Sequence, residues 1–345
     1  SEQSKNKDRV LLFIGAGSIN EFAHAFCALY ENPDRQTAWL EYAEKKVSSD
    51  CVLKLSENLA AKTTFKIGGG SKFYAEPSSI SDVLALMQSS RLFGMPYFCL
   101  GRGSNILVSD SGYKGLVMRF NHKNWQTIRK IDDSHIWVGC GVRLKELCGK
   151  VAQLGFSGFE FLEGIPGTLG GALRMNAGAM GWETFDLVEW VSFLMPDGKI
   201  VEIPGSELEV GYRYCKEAYE GIALRAKLKA EGRAKHQEIR KVIDSLAQAR
   251  RNSQPREASS GCVFRNPNEY SAGWLIDQSG MKGERIGGAA VSDLHANFIL
   301  NRGDATATEV INLILKVRER VKHSHGLMLE PEVNLLGQSW EQYLS

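Results

Sequence analysis

At 345 residues and 43% hydrophobic composition, the chain can bury more than one core, and its length favours two or three domains. Lys plus Arg total 42 against 40 Asp plus Glu, a net charge of +2, which excludes a bulk electrostatic attraction to nucleic acid or an anionic membrane. Phosphate recognition must therefore be local. The seven cysteines lack CxxC pairs or accompanying His spacings, which argues against a disulfide framework and a metal site and points to a reduced, cytoplasmic protein. The apolar run Val10 to Gly15 is too short to cross a bilayer, so no membrane insertion is expected.

In chain order, a polar leader gives way to RVLLFIGAGSINEFAHAF, which reads as strand, turn and helix, and then to the charged helical stretch AWLEYAEKKVSSD. A change of character near Ser49 to Lys54 sets residues 1–50 apart. From Asn58 onward short apolar strands alternate with amphipathic helices. The first helix opens at Ser79 with Asp82 three residues on, presents Val83, Leu84, Leu86 and Met87, and stops at Gly94. Strands are expected at Tyr97 to Leu100, Leu116 to Arg119 and Ile136 to Gly139. A second helix carries Leu144, Leu147, Val151 and Leu154, and Asp197-Gly198 between two apolar runs signals a hairpin. Between Lys235 and Asn252, Ile239, Val242, Ile243 and Leu246 share one face of a helix whose other face is basic; it reads as the connection to a last domain. That domain ends on a helix capped by Thr306 and Glu309, with Val310, Ile311, Leu313, Ile314 and Val317 inward, closing before Gly326. The patterning is α+β.

Two glycine-rich loops dominate the chemistry, LGRGSNILV at Leu100 to Val108 and GIPGTLGGALRMNAGAMG at Gly164 to Gly181. Clustered glycines let backbone N–H groups approach a pyrophosphate, and Ser104, Asn105 and Asn176 add side-chain donors, so the pair reads as a dinucleotide cradle. One such loop serves equally well as a tight turn; two within one domain shift the balance.

The order of segments TTFKIGGGSKFYAEP, LGRGSNILVSDSGYKGLV, GFEFLEGIPGTLGGALRMNAGAMG, VGYRY, SSGCVFRNP, AGWLIDQSGMKGERIGGAAVSDLHANFILN and LEPEVNLLG, from Asn58 to Gly337, resembles that of UDP-N-acetylenolpyruvoylglucosamine reductases. The resemblance implies a two-subdomain vanillyl-alcohol-oxidase-type FAD-binding domain at residues 51–232, divided near 120, and an α+β substrate-binding domain at 233–345. The short interval from Arg213 to Cys262 resembles the branch that lacks an extra tyrosine-bearing substrate loop. The implied reaction is reduction of a UDP-sugar enolpyruvyl ether in cell-wall synthesis, with hydride passing from NADPH through bound FAD to C3. Candidate cofactor-binding residues are then Gly101, Gly103, Ser104, Asn105, Gly164, Ile165, Pro166, Gly167, Thr168, Gly171, Asn176, Gly178 and Gly181.

Addition of hydride at C3 places charge on C2 and its carboxylate, and the resemblance assigns Arg213 of GYRY, beside Tyr212, to stabilise it. C2 must then be protonated. The family usually has serine where Cys262 stands, and a thiol with an ordinary pKa of about 8.5 is mostly protonated at neutral pH, so Cys262 is the candidate donor. A free cysteine is more often an inert buried residue, the reading that suits Cys27, Cys51, Cys99, Cys140, Cys148 and Cys215. Glu332 of LEPEV resembles the family's catalytic glutamate, with Glu330 as the alternative; in isolation either would be a solvated charge. Asn266, Lys282, Arg285, His295 and Asn297 are expected loosely around the UDP-sugar, and Arg251 or Arg256 at its diphosphate.

Two other function classes stay open, a flavin oxidase and a non-catalytic nucleotide-binding or scaffold module that would bind ligand without turnover, and the amino-terminal segment offers a separate reading. GAGSIN resembles a dinucleotide-binding turn but has Asn20 where a third glycine belongs and no completed βαβ unit, so it fails that fingerprint. It resembles instead the last strand and helix of UDP-N-acetylmuramate–alanine ligases, which implies a fused ligase–reductase whose residues 1–50 are remnant and linker. A flavin oxidase of the same fold would share the glycine loops without Arg213, Cys262 and Glu332 together.

Overall fold

The computed structural model describes residues 19–31, 34–267 and 269–344. The strand-and-turn part of the amino-terminal motif therefore lies outside the described residues. Helices α1 (Ile19–Glu31) and α2 (Arg35–Glu44) precede a four-stranded sheet built from β1 (Val52–Asn58), β2 (Gly70–Glu76), β3 (Tyr97–Leu100) and β5 (Tyr113–Arg119), in the order β1-β2-β5-β3. Strands β2, β5 and β3 run parallel, with α3 (Ile80–Leu92) as the crossover and β4 (Ile106–Val108) between β3 and β5. Helix α3 forms where the sequence placed it. The Ser79 side chain accepts from the Asp82 N–H while the Asp82 carboxylate takes the Ser79 N–H, which satisfies two donors that no helix can pair internally.

The division at residue 50 needs correction. Ala38, Trp39 and Ala43 of α2 are fully buried and pack with Phe73, Val83, Leu86 and Phe93 in one core, so α2 is part of this subdomain and not a linker. Trp39 lies 4.2 Å from Phe73, ring to ring.

The second subdomain is an antiparallel sheet of β6 (Ile128–Lys130), β7 (His135–Gly139), β8 (Val188–Leu194), β9 (Ile200–Pro204) and β12 (Ile222–Lys229), ordered β9-β8-β12-β7-β6. Helices α4 (Leu144–Gln153) and α5 (Leu169–Met175) cover it. The predicted hairpin is the β8–β9 turn, where Gly198 takes φ +87°. A smaller hairpin, β10 (Val210–Gly211) and β11 (Tyr214–Cys215), leads into α6 (Lys216–Glu220). Helix α7 (His236–Ser253) buries Ile239 and Ile243 in this same core, whereas Val242 faces solvent. The helix expected to open the last domain is thus docked on the second subdomain.

The third layer pairs β13 (Ser259–Cys262), β16 (Phe298–Asn301), β15 (Ala289–Val291) and β14 (Arg285–Ile286), with α8 (Ala272–Gln278) and α9 (Ala307–His325) packed on it. Strand β17 (Asn334–Leu336) leaves this layer and runs parallel to β4, which joins the carboxy-terminal domain to the first subdomain. Asp110 adds a clasp, accepting from the N–H groups of Ala307 and Thr308 at the start of α9 (2.7 and 3.0 Å). Among the described residues no helix is long and apolar enough to cross a membrane.

Replacing Trp39 with Ala should remove about 3–5 kcal/mol of unfolding free energy, the usual cost of deleting a buried large aromatic. Denaturant melts check this, and a loss below about 1 kcal/mol would detach α2 from the core.

Candidate active site

Both glycine loops open onto one cleft. Two adjoining cavities of about 310 and 250 Å³ share Gly101, Arg102, Thr168, Gly171 and Arg174 along their common wall. The first loop leaves β3 at Leu100 and enters β4 at Ile106. Among the described residues, none of the backbone N–H groups from Gly101 to Asn105 finds a protein acceptor. A run of unpaired N–H groups lining a cleft is a nest for phosphate oxygens. The loops also pack on each other: a Cβ at Gly101 would stand 2.7 Å from Thr168 Oγ1, and Gly103 adopts φ +62° with Thr63 directly behind it.

Of the predicted cofactor-binding residues, Gly101, Gly103, Ser104, Asn105, Gly164, Ile165, Pro166, Gly167, Thr168, Gly171 and Gly178 line the smaller cavity. Asn176 and Gly181 do not. Asn176 is buried in the left-handed conformation that ends α5; its amide donates to Glu183 (2.6 Å) and to the Gly211 carbonyl (3.3 Å), and its oxygen accepts from Phe185. It holds the β10–β11 hairpin to α5 and is not a free donor. Gly181 occupies an exposed turn with φ +84°.

The three candidate reactive groups, Arg213, Cys262 and Glu332, all line this smaller cavity, and none lines the larger one. Arg213 forms the turn between β10 and β11 with φ +58°, a conformation that costs a non-glycine residue on the order of 1 kcal/mol. Its Nε donates to Glu332 Oε1 at 2.9 Å, and both side chains are largely shielded from solvent. Burial is the largest single influence and would lower the arginine's pKa, but the Glu332 charge and hydrogen bond, with smaller help from Tyr212 and Glu183, together raise it and keep the guanidinium charged. Tyr212 Oη reaches the other Glu332 oxygen at 3.4 Å and its ring lies 4.7 Å from the Arg213 guanidinium. Glu330 is exposed and offers the site only its backbone, which accepts from the Arg265 N–H. Glu332 is therefore the carboxylate of the pair.

Cys262 ends β13, one residue beyond Gly261 at φ +78°. Burial, and then the Glu332 charge, push its thiol up to about 11, against the smaller pull of Arg213 and Arg250. The thiol is accordingly protonated across the neutral range. Ser260 Oγ, on the same wall, is buried without a hydrogen-bond partner.

The residues expected around the UDP-sugar fare differently. Tyr212, Arg256, Asn266, Lys282, Arg285, His295 and Asn297 line neither cavity, and of these only Tyr212 touches the reactive groups, through Glu332 and Arg213. Asn297 is buried and pairs both ends of its amide with the Phe264 backbone at 2.9 Å, a structural lock. Asn266 accepts from the Ala272 N–H at the start of α8, and Lys282 pairs with Asp277 at 2.6 Å. Burial lowers the pKa of His295, which packs edge-on to Phe298.

The arginine that does reach the cavity was missed. Arg251 is occupied by Gln248, whereas Arg250 lines the cleft beside Cys262, with burial lowering its pKa. The signal was present in the spacing. Ile239, Ile243, Leu246 and Arg250 fall at intervals of four, three and four, so Arg250 extends the inward stripe of α7.

Fold and site together present two glycine loops on a cleft that also exposes a cation, a carboxylate and a neutral thiol. Residues 71–204 match the model of an FAD binding domain, and residues 254–336 match the carboxy-terminal domain of UDP-N-acetylenolpyruvoylglucosamine reductase. The reductase of Alkaliphilus oremlandii is 39% identical over 298 residues, covering 85% of this chain and 96% of the relative. That of Heliobacterium modesticaldum is 39% identical over 289 residues, covering 83% and 91%. The crystal structure of the Thermus caldophilus reductase, 35% identical, superposes with a TM-score of 0.71 over 83% of this chain and 99% of that one. The chain belongs to the UDP-N-acetylenolpyruvoylglucosamine reductase family, and its α+β fold is the FAD-binding architecture that the sequence implied.

With its thiol neutral, Cys262 should react slowly with iodoacetamide near pH 8, and the rate should climb as pH approaches about 11. Peptide mapping of the alkylated cysteine measures this; complete modification of Cys262 at neutral pH, as fast as the exposed Cys27, would place the thiol in a different environment.

Proposed function

We propose that the chain reduces UDP-N-acetylenolpyruvoylglucosamine to UDP-N-acetylmuramate with NADPH, as an oxidoreductase of peptidoglycan synthesis acting in the cytoplasm. The observation that carries this reading is the convergence of Arg213, Cys262 and Glu332 at one end of a cleft whose walls are the two glycine loops. The cleft fits FAD: five consecutive N–H groups await an acceptor and a buried Ser260 hydroxyl lacks one. When bound, FAD would supply the hydride-transfer chemistry between NADPH and C3 of the enolpyruvyl group.

The chain's own residues do the rest. Glu332 uses one oxygen to hold Arg213 by Nε, which leaves the outer guanidinium nitrogens to face the substrate carboxylate. That fixed cation stabilises the charge that develops on C2 and the carboxylate as C3 gains hydride. Cys262 then gives its proton to C2, so the double bond between C2 and C3 ends with one hydride and one proton added. The thiolate left behind regains a proton from water, because its pKa near 11 makes the thiol the stable form. Arg250, beside Cys262, is the cation we assign to the substrate's diphosphate, in place of Arg256. Asn266, Lys282, Arg285 and His295 belong to the support of that region, not to contact with the reacting atoms.

A covalent link to a UDP-N-acetylmuramate–alanine ligase through residues 1–50 remains part of the proposal. Both α2 and Ala25 of α1 pack into the core of the first subdomain, so the described part of this segment is docked on the reductase. Purified protein charged with FAD should oxidise NADPH only when the UDP-sugar is present, with UDP-N-acetylmuramate released. Oxidation sustained by oxygen alone would favour the oxidase reading.

Cys262→Ala should leave bleaching of the flavin by NADPH near wild type and slow the substrate-dependent return of colour about 100-fold or more, within the usual range for a lost general acid. Cys262→Ser should be milder. Stopped-flow absorbance separates the two halves, and equal loss in both would remove Cys262 from the donor role.

A further inference from the structure

Beyond Arg213 and Arg250, the cleft has a cation that nothing above employs. Arg174, near the end of α5, lines both cavities at their junction, with Gly101, Arg102, Thr168 and Gly171 around it. Its guanidinium lies 3.8 Å from the centre of the Tyr219 ring, and its Nη1 donates to the Ala218 carbonyl at 2.9 Å. Tyr219 in turn packs on Tyr214 at 5.2 Å. Among the described residues no carboxylate pairs with Arg174, although the group is only partly exposed. A shielded cation on the wall of a cleft, planar, oriented by stacking and left without an acid, is arranged to receive an anion.

The location says which anion. If the reactive end of the dinucleotide lies against Arg213, Cys262 and Glu332 in the smaller cavity, its adenosine end must extend into the larger one. The pyrophosphate then falls at the junction, where Arg174 and the unpaired N–H groups of the first glycine loop converge. We propose that Arg174 is the cationic clamp on the cofactor's pyrophosphate, an inference that rests on the FAD reading of the cleft. Its other contacts give the clamp a further consequence. Ala218 and Tyr219 sit on α6, directly after the hairpin that carries Arg213, so a pyrophosphate that fixes Arg174 also steadies that hairpin.

The test is titration of the flavin-stripped full chain with FAD and, separately, with ADP, which carries the pyrophosphate but no flavin. Arg174→Met keeps the apolar stem, and Arg174→Lys keeps the charge. Loss of a charge-assisted contact should weaken both FAD and ADP about 10- to 100-fold in the Met variant and less in the Lys variant. Added salt should also weaken wild-type binding more steeply than that of the Met variant. Thermal melts of the stripped proteins check that the variants remain folded. Wild-type affinity in Arg174→Met would overturn the clamp. So would an equal loss in both variants confined to FAD, since that marks a clasp internal to the protein. Wild-type protein that takes up neither FAD nor ADP would instead overturn the FAD reading and the clamp with it.

Discussion

The site depends on the parallel pairing of β17 with β4, a contact between segments more than two hundred residues apart in sequence. Strand β4 begins where the first glycine loop ends, and β17 begins two residues after Glu332. At the junction the Asn105 amide donates to the Glu332 carbonyl (3.1 Å) and the Asn334 N–H donates to the Asn105 carbonyl (3.1 Å). The Glu332 N–H donates to Val263, the neighbour of Cys262, at 2.7 Å. One short ladder thereby sets the dinucleotide loop, the carboxylate and the thiol in a single frame. Backbone ladders define position more tightly than side chains on mobile loops, which is what a reaction sensitive to small displacements requires.

Electrostatics follows from that frame. Glu332 lies where its charge both anchors Arg213 and raises the thiol of Cys262, so one carboxylate keeps the cation charged and the acid protonated. Both effects would fade if the groups were solvated, since water would screen them. Shielding by the closing of three layers over the cleft keeps them strong. The left-handed backbone at Arg213 is the cost of aiming a long side chain back from a two-residue turn, and Asn176, bonded to the Gly211 carbonyl, helps hold that turn.

What could be read in the sequence was what is encoded locally. The capped helix at Ser79, the strand at Tyr97 to Leu100 and the turn at Asp197-Gly198 each declare themselves within a dozen residues, and each forms where expected. The β4–β17 ladder could not be read this way, because ILV and NLL carry no mark of each other. Nor could the docking of α2: AWLEYAEKK looks like a charged surface helix until Phe73 and Phe93 bury its one tryptophan face. Polar residues in motif segments misled for a definite reason. Asn176 and Asn297 belong to a residue type that serves ligands and backbone equally, and in both cases the backbone had the prior claim. Arg250 was legible in principle, since only its place on the buried stripe of α7 separates it from Arg251.

The most direct measurement is an anaerobic absorbance experiment on the wild-type protein, in which NADPH is added to bleach the flavin band and UDP-N-acetylenolpyruvoylglucosamine follows. The oxidised spectrum should return with the UDP-sugar, in proportion to the amount added. A flavin that bleaches but stays bleached would keep the FAD-binding fold and contradict the reaction assigned to Arg213, Cys262 and Glu332.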